Sequence, residues 1–73
     1  MTTHEKLELI ADILDVEVDE LTPETKISSL EWDSIATLSF IAMLDENFGK
    51  VVKGAVIKNF VTLQDALNIM EDE

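Results

Sequence analysis

The chain has 73 residues, with five lysines, 16 carboxylates, one histidine, no cysteine and a formal net charge of −11. A chain of that length builds one domain around one small core, without disulfides and without the thiols of a structural zinc site. Its charge repels nucleic acid and anionic membrane surfaces and suits steering toward basic partners.

The start, Met1-Thr-Thr-His-Glu-Lys, lacks the basic and apolar regions of a secretory signal. A first helix is predicted from Thr3 to Leu14. Thr2 and Glu5 have capping-box spacing, and Leu7, Ile10, Ala11 and Leu14 form one apolar stripe. Asp15 to Asp33 reads as a long loop, because Thr22-Pro23 and Ser28-Ser29 interrupt regular structure. Val16, Val18, Leu21, Ile27 and Leu30 predict that this loop packs on the helices.

The second helix is predicted from Ser34 to Phe48, capped by Asp33 or Ser34 and closed by Gly49. Its apolar residues cover more than one face, as in a central helix. The run Ile35 to Leu44 is about half a membrane span, so insertion is not expected. Gly54 to Asn59 reads as one short helical turn. A last helix starts near Thr62, with Asp65 as its acidic capping partner. The acidic end Glu71-Asp72-Glu73 opposes the helix dipole and is expected to fray. The expectation is an all-α four-helix bundle with a long first loop and a short third helix, in one cytoplasmic domain spanning 1–73.

Asp15, Glu17 and Asp19 fit the first, third and fifth positions of a calcium loop. Glu20 stands where its glycine belongs and Lys26 where its bidentate glutamate belongs, so a solvated acidic loop is the better reading. A hydrolytic serine needs a base, and the one imidazole, His4, lies at the chain start. No Gly-rich phosphate loop is present, and no catalysis of the chain's own is expected. Ser34 taken alone is a helix cap.

The context of Ser34 adds more. Trp32-Asp33-Ser34-Ile35 opens the central helix, Phe48-Gly49 closes it, and Phe60-Val61-Thr62-Leu63-Gln64-Asp65-Ala66 opens the last. In these features, its length and its acidity, the chain resembles the acyl carrier protein family. The resemblance implies 4′-phosphopantetheine, from coenzyme A, attached to Ser34, with Asp33 and Ile35 as motif neighbours and Ile35 in place of the usual leucine. It also implies a monomeric carrier that serves a phosphopantetheinyl transferase and acyl-transferring, ligating or synthase enzymes. The cargo pathway is fatty-acid synthesis or a specialised one, such as polysaccharide, polyketide or aminoacyl assembly. The alternative is an unmodified helical adaptor that works by docking alone.

The resemblance further implies a cavity sheltering the acyl chain, here lined by Phe40, Ile41, Leu44, Ile57 and Phe60. The bulk of Phe40 and Phe60 favours short or polar cargo. Where fatty-acid carriers often place acids on the exposed side of the second helix, this chain has Ala36 and Ser39, leaving Asp45 and Glu46 further along. Lys50, Lys53 and Lys58 follow the helix where acids are common. A restricted partner set is therefore expected, docking through Trp32, Ile35, Ala42, Asp45, Glu46 and Lys53.

Overall fold

Four α-helices and two single 3-10 turns make up the described part of the computed structural model, which covers residues 2–70. The acidic end expected to fray lies outside these residues. Helix α1 spans Thr3–Leu14, α2 Ser34–Phe48, α3 Gly54–Ile57 and α4 Leu63–Ile69. The 3-10 turns, Val18–Glu20 and Ile27–Ser29, lie in the loop expected to be irregular.

The helix starts follow from local chemistry. The Glu5 amide donates to Thr2 Oγ1 at 3.1 Å, and the Thr2 amide donates to Glu5 Oε1 at 2.9 Å. These bonds satisfy donors that the helix geometry leaves unpaired. They also hold the Glu5 carboxyl below its ordinary pKa, because both the Thr2 amide and hydroxyl favour the charged form. At α4, Asp65 Oδ2 accepts from the amides of Val61 at 2.8 Å and Thr62 at 3.2 Å. Helix α2 ends at Gly49 in the left-handed conformation, where its amide donates back to Asp45 O at 3.2 Å.

Helix α1 packs on α2 and α4, and α2 also packs on α3. Ile10, Phe40, Leu44, Leu63 and Met70 are fully buried at the centre. Burial of each such side chain contributes about 1.5–3 kcal/mol against exposure. The first loop covers one side of this core. Leu21 is buried, Val18, Ile27 and Leu30 pack against the core, and Val16 is exposed.

Backbone bonds tie this loop to the start of α4. Ile27 N donates to Val61 O at 2.9 Å, Leu63 N to Thr25 O at 2.9 Å and Gln64 N to Pro23 O at 2.8 Å. Because the loop is fastened to α4, it presents Trp32 and Asp33 to the start of α2 in a fixed place.

Candidate functional site

Asp33 is the N-cap of α2. Its Oδ1 accepts from the Ala36 amide at 2.9 Å, and its carbonyl accepts from the Thr37 amide at 3.0 Å. Capping therefore falls to Asp33 and not to Ser34. Ser34 becomes the first helical residue, exposed, with no hydrogen bond to its hydroxyl among the described residues. The amides of Ser34 and Ile35 precede the first intrahelical bond of α2, so donors at the positive end of the helix dipole stand free beside that hydroxyl.

Ser34 opens onto a groove of about 730 Å³ between α2 and α3. Trp32, Leu38, Ile41, Ile57 and Phe60 give it mostly apolar walls, with Thr37, Gly54 and Lys58 also on the lining. Two of its lining rings, Trp32 and Phe60, meet each other and the buried Phe40 edge to face. Trp32 and Phe40 have centroids 5.5 Å apart, Phe40 and Phe60 5.9 Å, and Trp32 and Phe60 6.5 Å. The Trp32 indole N–H donates to Thr37 Oγ1 at 3.1 Å, and Thr37 Oγ1 donates to Asp33 O at 3.1 Å.

The five residues expected around an acyl cavity divide in two. Ile41, Ile57 and Phe60 line the groove, whereas Phe40 and Leu44 have no exposed surface and stand behind it.

Ile35, Leu38, Ala42, Asp45 and Glu46 are exposed on α2, and their spacing puts them along one face. Ile35 is 73% exposed and Leu38 66%, so the half of this face next to Ser34 is apolar. Ala36 does not belong to the face: it is buried, because it falls on the same side of α2 as Phe40 and Met43. Of the two positions expected to carry acids, only Ser39 reaches solvent, and only in part. Trp32 is half-buried among the rings. Lys53 is exposed at the N-cap of α3, and Lys50 Nζ donates to Ile69 O at 2.9 Å, at the negative end of α4.

Thr37, Leu38 and Lys58 are groove residues that sequence reasoning missed. Leu38 was visible as an apolar residue three positions from Ile35. Lys58 was visible only as a cation where acids are common, and its place on the groove depends on how α3 packs against α2.

The family model for the phosphopantetheine attachment site matches residues 7–69. The chain is 35% identical over 68 residues to acyl carrier protein 4, chloroplastic, of Arabidopsis thaliana, covering 93% of this chain and 45% of that protein. It is 32% identical over 66 residues to the acyl carrier protein of a Picosynechococcus species, covering 89% of this chain and 82% of that one. The chain thus spans less than half of the first relative and most of the second. No solved structure matches it significantly.

The residues around Ser34 fit the group that the family carries. A phosphodiester on an exposed hydroxyl meets free amides and a favourable dipole end. A long arm from the same point has an open apolar groove beside it.

Proposed function

We propose, because this chain belongs to the acyl carrier protein family, that its carrier role runs through 4′-phosphopantetheine attached at Ser34. The observation that carries this reading is the free Ser34 hydroxyl at the head of α2, with Asp33 doing the capping. When bound, the arm supplies the thiol that the chain lacks, on which acyl groups travel as thioesters.

Attachment forms one P–O bond from Ser34 Oγ to the pantetheine-bearing phosphorus of coenzyme A. The pyrophosphate bond breaks, adenosine 3′,5′-bisphosphate leaves, and the hydroxyl proton passes to a base. The transferase supplies that base: His4, the chain's one imidazole, sits on α1 with Glu8 Oε1 3.2 Å from its Nε2. Asp33 and Ile35 hold the motif, Asp33 by fixing the first turn and Ile35 by offering an apolar contact to the transferase. The chain performs no catalysis of its own.

Partner enzymes dock on the exposed face of α2 and the start of α3, through Ile35, Ala42, Asp45, Glu46 and Lys53, with Trp32 supporting the edge beside Ser34. An apolar patch near the arm and charges of both signs further out demand a matched partner. This supports a restricted set of acyl-transferring, ligating or synthase enzymes, served by a carrier that acts as a monomer in this reading. Relatives that are acyl carrier proteins suit fatty-acid or specialised acyl pathways, and the bulk of Phe60 and of the buried Phe40 packed against it favours short cargo.

Intact mass after incubation with coenzyme A and a broad-specificity transferase tests this. One added phosphopantetheine is expected on the wild type and none on Ser34→Ala. A mass gain on both would move the attachment point, and a folded chain unmodified by an active transferase would favour an adaptor that only docks.

A further inference from the structure

The polar side chains on the groove can be followed one by one. Trp32 Nε1 is committed to Thr37 Oγ1, and Thr37 Oγ1 to Asp33 O. Asp33 Oδ1 is committed to the Ala36 amide, and its carboxylate repels anions in any case. Two polar side chains on the lining make no hydrogen bond or ion pair among the described residues: the Ser34 hydroxyl and the Lys58 ammonium. Among the described residues Lys58 is the one cation on the lining that holds Ser34. The walls are mostly apolar, and Lys58 is exposed at them, so a pair formed there stays open to screening by salt.

We infer that Lys58 is the anion-binding residue of this groove and takes an anionic oxygen of whatever is tethered at Ser34. This rests on the reading of Ser34 as the attachment point. Two groups share the required chemistry: the phosphodiester of the arm, and a carboxylate at the far end of a short dicarboxylic acyl cargo. Lys58 follows α3 directly, so the same contact fixes the tethered group against the α3 wall.

The test compares four forms: the unmodified chain, the arm-bearing chain, and chains loaded from butyryl-coenzyme A and succinyl-coenzyme A. Mass first establishes loading. The Cε–Hε NMR signals of the five lysines are then followed at one pH, in low salt and in about 1 M salt, where the screening length falls to ~3 Å. The Lys58 signal is expected to move while that of Lys53 stays, and to return in high salt. Movement already present with the bare arm assigns the anion to the phosphodiester. Movement with succinyl but not butyryl assigns it to the cargo carboxylate. Lys58→Met should load normally and should release the groove from its salt dependence, read on the methyl signals of Ile41 and Ile57. Loaded forms with an unmoved Lys58 signal would overturn the inference and leave attachment intact. A chain that accepts no arm would overturn both.

Discussion

Trp32 and Thr37, both on the lining of the groove, are joined by the indole N–H, which donates to the threonine hydroxyl at 3.1 Å. The bond links the last residues of the first loop to the second turn of α2. Thr37→Val keeps the shape and removes the acceptor, leaving a half-buried N–H unpaired. The expected cost is about 1 kcal/mol, near the low end for a buried orphan donor. Urea unfolding measures it. The chain's one tryptophan should also change its emission, and unchanged emission with unchanged stability would mean that the bond is not formed in solution.

Asp33 spares Ser34 from capping, so removing it should be felt in the helix. Asp33→Ala is expected to destabilise the chain by about 1 kcal/mol, whereas Asp33→Asn, which still offers a side-chain oxygen, should be close to neutral. Thermal unfolding of the pair separates loss of the cap from loss of the charge.

The two glycines should respond in opposite ways. Gly49 has φ +63°, and a Cβ there meets nothing within 4 Å. The cost of Gly49→Ala is therefore conformational alone, about 1 kcal/mol. At Gly54 an added Cβ stands 3.9 Å from Thr37 Cγ2, an ordinary contact. Gly54→Ala should be neutral or stabilising by up to about 1 kcal/mol. Denaturation midpoints that move together would contradict this.

Acid should loosen the start of α4. The Val61 amide, and then the Thr62 amide, donate to the Asp65 carboxyl and hold its pKa below the usual aspartate value. A lowered folded pKa gives stability that is full above about pH 3.9, the unfolded value, and is lost as pH falls through the folded one. Wild type should therefore lose more stability on acidification through that window than Asp65→Asn. Equal losses, measured as urea midpoints against pH, would remove the cap from the account.

Much of this architecture was legible from side-chain spacing. The bounds of α1 and α2 follow from Thr2 with Glu5, Asp33, and Gly49, because caps are local chemistry written in neighbouring residues. The two 3-10 turns were not legible, since three residues are too few to show a period. The ties from Pro23, Thr25 and Ile27 to α4 were equally hidden, because they run between backbone groups that every residue type carries. Ser34 could be singled out from its motif. Of its groove, Ile41, Ile57 and Phe60 were named through the family resemblance, whereas Thr37 and Lys58 reach it only through the packing of α2 on α3. Ala36 shows the same limit: a single residue step, from Ile35, separates the exposed face from the buried one.

Those ties also bear on the order of events during folding. The groups they join lie more than thirty residues apart along the chain, so closing them costs loop entropy that the local bonds of α2 do not incur. Helix α2 can therefore form while the segment leading into Trp32 and Asp33 is still loose. A chain cut before Val61 would offer the serine on a helix whose threshold is unfastened, because Ile27, Thr25 and Pro23 would have lost their mates.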